Sequence, residues 1–235
     1  MKFLDELKLF PKAFLHLWFP HICLHCGVDD IDDSMVLCDS CINKLPYCDF
    51  DSMEYNPIEK IFWGRVHLLH ADSLLFFTKE SIVQLIISEL KYKHNKKAGW
   101  MLGILIGKQL LSQAKYASID YIIPIPITRQ KKLTRGYNQS EIIFEGIHKI
   151  FSKPILTNIL FRTRQGDTQT KKDRVDRNFQ EAIVFSIQES HIIQSKNILI
   201  IDDVVTTGAT LEAACICLQS AQPSSISLFT ACYTI

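Results

Sequence analysis

The run from Asn197 to Thr210, Asn-Ile-Leu-Ile-Ile-Asp-Asp-Val-Val-Thr-Thr-Gly-Ala-Thr, constrains this chain more than any other stretch. Its aliphatic residues, Ile198 to Ile201, have the unbroken apolar character of a parallel strand buried on both faces. Two carboxylates follow, Asp202 and Asp203, then a short turn of hydroxyls and glycine, Thr206, Thr207, Gly208, Ala209 and Thr210. From Leu211 to Leu218 the apolar spacing becomes helical. A strand that turns straight into a helix gathers unpaired backbone N–H groups and the positive end of a helix dipole at one point, which suits a phosphate. Gly208 would let the backbone approach it closely. A buried strand and a helix capped by Thr206 or Thr207 would explain the apolar run and one threonine. It would not explain paired acids at a strand's end, where charge is costly unless used. Acids that can accept from sugar hydroxyls, beside an anion hole, fit a ribose phosphate.

The rest of the chain alternates strands and helices. Val66 to Phe77 suggests short strands in a hairpin, and Ser81–Leu90 and Ala98–Leu111 have helical apolar spacing. Tyr121 to Ile127 is the next strand, with Pro124 and Pro126 marking its end. A loop from Thr128 to Asn138, a helix from Gln139 to Ile150 and a strand from Ile155 to Arg162 follow. After a long polar stretch, Thr163 to Gln180, strands resume at Ala182–Phe185, at the Ile198 run and at Ser225–Tyr233. This order predicts an α/β fold, a mostly parallel sheet with helices on both faces, whose ligands bind beyond the carboxyl ends of its strands.

At 235 residues and 47% hydrophobic, the chain has room for one such domain and a small appendage. The net charge of +1 hides an uneven distribution. Residues 29–54 are acidic, while Lys91–Lys97, Arg129–Arg135 and Arg162–Arg177 are basic. The Lys91–Lys97 stretch reads equally as solvated charge at a helix end and as a ligand-facing group. No apolar run reaches membrane-spanning length, so stable membrane insertion is not expected. The apolar opening, Met1 to Pro20, is interrupted by Asp5, Glu6, Pro11 and His16, which favours an amphipathic helix over a signal peptide.

The cysteines sort into two groups. Cys215, Cys217 and Cys232 lie in apolar surroundings and read as inert filling. Cys23-Leu-His-Cys26 and Cys38-Asp-Ser-Cys41 form two Cys-x-x-Cys knuckles a short loop apart. Two thiolate pairs at that spacing complete a tetrahedron around Zn2+, and a full set of four favours a structural site. His21, His25 and Cys48 are nearby alternative ligands. The expected division is residues 1–55, an N-terminal helix and zinc-binding module, and residues 56–235, the α/β domain, with Tyr47–Pro57 as linker. Nothing suggests a disulfide framework, which points to a reducing, cytoplasmic setting.

The Ile198–Thr210 run resembles the signature of the type I phosphoribosyltransferases. Pro124-Ile-Pro126 with Arg135-Gly-Tyr-Asn-Gln139, Arg162-x-Arg-Gln165 with Gln169, Arg174 and Asn178, and the cysteine knuckles together resemble the ComF family of competence proteins. The resemblance spans Cys23 to the last strand. It implies that Asp202 and Asp203 hold the ribose hydroxyls of phosphoribosyl pyrophosphate and that Thr206 to Thr210 wrap its 5′-phosphate. The loop after Ile127 would stand at the pyrophosphate, with Arg129, Lys131, Lys132 and Arg135 neutralising it and Mg2+ bridging its oxygens. Thr163–Gln180 would occupy the place of a flexible catalytic loop. The reaction would be pentosyl transfer, with Asp202 and Asp203 as the residues that fix the sugar and Asp203 placing charge near the developing cation.

No segment identifies an acceptor. A second reading is therefore a non-catalytic scaffold binding phosphoribosyl pyrophosphate or single-stranded DNA through Arg135, Tyr137, Arg162, Arg164, Lys171, Lys172, Arg174 and Arg177, helped by Tyr92. A phosphoribosyltransferase of nucleotide metabolism is a third. The family resemblance adds a role in uptake of single-stranded DNA in natural competence, and a DNA-import helicase or other competence protein as partner. All of these need the two acids to face the helix mouth rather than to be locked by arginine.

Overall fold

In a computed structural model of the chain, residues 21–29, 31–50, 53, 55–127, 139–163 and 184–234 are described. They divide into two compact units at Leu45/Pro46. That division falls earlier than the boundary expected at residue 55, because the first part of the expected linker is tied to the sheet. Cys48 N–H donates to the Leu74 carbonyl and Phe76 N–H to that of Pro46, both at 2.9 Å, and Cys48 and Phe50 are buried in the core of the second unit.

In the first unit, helix α1 (Asp39–Ile42) carries Cys41 inward, next to buried Val36 and Leu37. Gly27, at φ +74°, makes the tight turn after Cys26, where its N–H donates to the Cys23 carbonyl at 3.0 Å.

The second unit is built on helix α2 (Pro57–Phe62), strand β1 (Ala71–Phe77), helices α3 (Ile82–Tyr92) and α4 (Lys96–Ser112), strand β2 (Tyr121–Pro124) and helix α5 (Gln139–Ile150). Then come β3 (Leu160–Thr163), β4 (Val184–Ile187), β5 (Asn197–Val205), helix α6 (Ala209–Gln219) and β6 (Ser225–Thr234). Asn56 caps α2 by accepting from the Ile58 and Glu59 amides, with Pro57 at its first position; Ser81 caps α3 through the Gln84 amide. Val66 to Phe77 holds one strand, β1, rather than a hairpin, and that strand pairs with β6. The short α2 has too few residues for its periodicity to be read.

The main sheet runs β1-β6-β5-β2, parallel throughout, and Ile155 adds a parallel bridge beside Ile122 of β2. β3 and β4 form a separate antiparallel pair. The chain moves one way along the sheet from β1 through α3 and α4 to β2, and the opposite way from β5 through α6 to β6. Right-handed crossovers in opposite directions place their helices on opposite faces. α4 and α5 accordingly pack together, at a point where a Cβ on Gly103 or Gly146 would run into the backbone of the other helix. The other face holds Phe62 of α2, Leu211, Cys215 and Leu218 of α6, and Leu160 and Phe185 of the β3–β4 pair, against Ile198, Ile200, Ile226 and Leu228. Neighbouring strands β2 and β5 thus feed connections to opposite sides, and the crevice between their carboxyl ends is where such sheets bind ligands.

No helix among the described residues is long and apolar enough to cross a membrane. Residues 1–20, including the expected amphipathic helix, lie outside the described residues, as do residues 128–138 and 164–183.

Candidate functional site

β5 runs further than its aliphatic core. It stays paired with β6 through Val205↔Tyr233, so both acids lie inside the strand, and the chain leaves it only at Thr206. Gly208 then takes φ +75°, a conformation that favours glycine, and precedes α6 as its N-cap without a side-chain hydrogen bond to the helix. A Cβ here would also stand 2.7 Å from Ile61 Cγ2 and 3.0 Å from the Phe62 ring. The turn encloses a small cavity of ≈ 60 Å3 lined by Asp202, Val204, Val205, Thr206, Thr207, Gly208, Ala209, Thr210 and Leu211. Asp202 and the expected phosphate-loop residues are therefore brought together around the helix mouth.

Asp203 is not among that lining, so of the two acids expected to face the helix mouth and hold the ribose only Asp202 does so. Successive side chains of a strand face opposite ways, and Asp203 turns toward α3, where its Oδ2 meets Lys91 Nζ at 2.7 Å. The Asp203 amide donates to Asp202 Oδ1 at 2.9 Å. Burial, then the charge of Asp203, pushes the Asp202 carboxyl up to about 8, against the opposing pull of that amide, Lys91 and Arg162. Arg162 of β3 is itself lowered by burial and held up by the charge of Asp202, and its guanidinium lies 5.8 Å from the centre of the Phe185 ring. Arg162, expected to face nucleic acid, thus stands where its charge acts on Asp202. Of the basic stretch after α3, Lys91 faces the acids while Lys93 pairs with Glu89 at 2.8 Å, a helix-end role.

The sequence does not single out Arg65, yet it braces the Thr206–Thr210 turn by donating to the Thr207 carbonyl. Its partner is remote in sequence and no local pattern marks it. Arg129, Lys131, Lys132, Arg135, Tyr137, Arg164, Lys171, Lys172, Arg174 and Arg177 lie outside the described residues. A larger cleft of ≈ 600 Å3, lined by Pro126, Ile127, Phe144 and Phe161 among others, contains neither acid.

In the first unit, one ligand atom from each of Cys23, Cys26, Cys38 and Cys41 lies within 4.8 Å of the others. The Sγ atoms of Cys26 and Cys38 are 3.6 Å apart. Zn–S bonds of about 2.3 Å in a tetrahedron give an edge of roughly 3.8 Å, so the group fits zinc. Burial pushes the Cys23 thiol up, but the amides of Cys26, Cys38 and His25 and the Cys26 side chain bring it down to about 6. Of the alternatives, His21 faces Asp33 at 3.7 Å and Cys48 belongs to the core of the second unit. The thiols expected to be inert are buried at Cys215 and Cys232 and partly so at Cys217; burial raises all three, Cys215 to about 12.

Residues 140–234 match the phosphoribosyl transferase domain. The chain is 31% identical over 110 residues to the competence protein ComFC of Bacillus subtilis, which covers 46% of this chain and 42% of that protein. It is 30% identical over 94 residues to competence protein F of Haemophilus influenzae, 39% of this chain and 41% of that one. The matched segment is thus less than half the length of either relative. A partial likeness to the glutamine phosphoribosylpyrophosphate amidotransferase of B. subtilis has a TM-score of 0.42 at 13% identity, over 62% of this chain and 30% of that one. The parallel sheet with its helices and the matched domain define a type I phosphoribosyltransferase fold, accompanied by a four-cysteine cluster. Within that class, the matched segments make the chain similar to the ComF-family competence proteins.

Proposed function

We propose that the crevice beyond β2 and β5 binds phosphoribosyl pyrophosphate, its 5′-phosphate in the loop from Thr206 to Thr210 and its ribose against Asp202. One observation carries this reading: the helix mouth of α6 is preceded by a left-handed glycine, lacks a side-chain cap and is joined in one cavity by a carboxylate. Uncapped N–H groups at a dipole end favour an anion, and the acid beside them favours a hydroxylated one. Arg129, Lys131, Lys132 and Arg135, which follow β2 in sequence, are the groups to meet the pyrophosphate.

Magnesium belongs to this reading as a companion of the ligand. At the acid pair itself a free divalent cation does not fit, because Asp203 Oδ2 is engaged by Lys91 and Arg162 bears on Asp202. Zinc in the four-cysteine cluster is a structural element of the first unit, and the second unit, from Pro46, is the ligand-binding domain. In this reading the cellular role is handling of incoming single-stranded DNA in the cytoplasm; the names of the two relatives support a role in competence. Binding without turnover is favoured over pentosyl transfer by the Lys91–Asp203 contact, which occupies one of the two acids.

Calorimetry with phosphoribosyl pyrophosphate and Mg2+ tests the reading. Binding that weakens at least tenfold in Thr206→Val/Thr207→Val is expected; equal binding by that variant overturns it. Single-stranded DNA added as competitor distinguishes a shared site from separate ones, and pyrophosphate release reports turnover.

A further inference from the structure

Lys91 is the penultimate residue of α3, and its ammonium lies 2.7 Å from Asp203 Oδ2 with the side chains only 19% and 16% exposed. Exposed pairs contribute little, but a pair withdrawn from water persists, because either charge left alone there keeps its desolvation cost. Three elements furnish the charges at this edge: Asp202 and Asp203 from β5, Lys91 from α3 and Arg162 from β3. β6 adds the Cys232 thiol, which burial keeps neutral. Two carboxyl groups meet two cations, and burial together with Asp203 keeps the Asp202 carboxyl protonated up to about 8. Two uncompensated carboxylates side by side would attract a divalent ion, which takes oxygen ligands; here one of those oxygens is already engaged.

We propose that Lys91 is the resident counter-ion of Asp203, holding the place of a metal cation, so that the ligand-free protein has no divalent-cation site of its own. The alternation of β5 assigns the two acids different work. Asp202 serves the phosphate loop, and Asp203 anchors Lys91 at the rim of the same crevice. A phosphorylated ligand has then to bring its own cation or exchange its hydroxyls against the ammonium. The inference rests on the ribose-phosphate reading only for what displaces Lys91. Binding of metal-free ribose 5-phosphate tests that reading separately, so either can fail alone.

The test uses Mn2+ as probe on the ligand-free full chain, followed by electron paramagnetic resonance. Wild type and Asp203→Asn should both bind no Mn2+ at submillimolar concentration. Lys91→Met should gain a site at least tenfold tighter, which disappears when Asp203→Asn is added, whereas Lys91→Arg should behave as wild type. A folded Lys91→Met, as judged by circular dichroism, that gains no site overturns the proposal. So does a wild-type site that Asp203→Asn abolishes, a comparison that holds even where Lys91→Met does not fold.

Discussion

Arg65 and Thr207 are 142 positions apart in sequence, yet Nη1 of Arg65 donates to the Thr207 carbonyl oxygen at 3.2 Å. The same nitrogen donates to the Ile61 carbonyl at 3.1 Å, and Nη2 pairs with Glu212 Oε2 at 3.1 Å. One guanidinium thus ties the end of α2, the phosphate loop and the first turn of α6 together. Because Arg65 is partly exposed, its charge pair adds little stability; its contribution is to hold the loop in shape. Arg65→Ala should weaken binding of ribose 5-phosphate about tenfold, roughly 1.4 kcal/mol, with little change in melting temperature. Arg65→Lys should recover little, since a single ammonium cannot reproduce the fork. Calorimetry on the three proteins checks this.

Gly208→Ala meets two obstacles, the left-handed φ and the Ile61 and Phe62 side chains. Strain of this kind and overpacking each cost about 1–3 kcal/mol. The variant should lose stability in that range in urea unfolding and lose phosphate binding as well.

Asp202 couples stability to pH. Its folded value, up at about 8 through burial and then through Asp203, stands above the unfolded carboxylate value of roughly 4. Between those limits the folded state keeps a proton that the unfolded state has lost, so this group's contribution to stability falls as pH rises. Asp202→Asn removes the loss. Its melting temperature should exceed that of wild type at pH 8, with the gap closing toward pH 4. In a domain of this size each kcal/mol is about 2–4 °C. A gap that widens as pH falls would contradict the assignment.

Asp72, at the amino end of β1, is buried and accepts from the Tyr116 hydroxyl and, at 3.1 Å, from Asn56 Nδ2, while Lys115 Nζ lies 2.7 Å away. Asp72→Ala removes an acceptor that three donors share, although Asn56 Nδ2 keeps the Ala71 carbonyl at 2.6 Å, and should cost about 3 kcal/mol. Because the crevice lies at the opposite end of the strands, ribose 5-phosphate affinity in the folded variant should be unchanged.

Zinc removal acts on the other unit. Metal analysis should find one zinc per chain, and Cys38→Ser should lower that content, since three remaining thiols leave the tetrahedron open. Ribose 5-phosphate binding measured on the chelated protein should persist, as its groups all lie within Pro46–Ile235.

Local chemistry made the strand, turn and helix around Thr206–Thr210 readable, because aliphatic run, acids, hydroxyls and glycine are consecutive, but not the Arg65 that braces the turn. The cysteine knuckles were legible for the same reason, each pair being set by its own turn. The helices at Ile82–Tyr92 and Gln139–Ile150 could be read because their apolar spacing repeats over several turns. What only tertiary structure decided is which groups face which across elements. β1 turned out single because its pairing partner is β6, at the far end of the chain. The two acids, identical and adjacent in sequence, were separated by the pleat of β5: Asp203 pairs with Lys91, while Asp202 lines the loop cavity under the charges of Lys91 and Arg162. Charge partners drawn from remote elements leave no periodic trace in a single sequence, so Lys91, Arg65 and Asp72 acquire their roles only once the chain is folded.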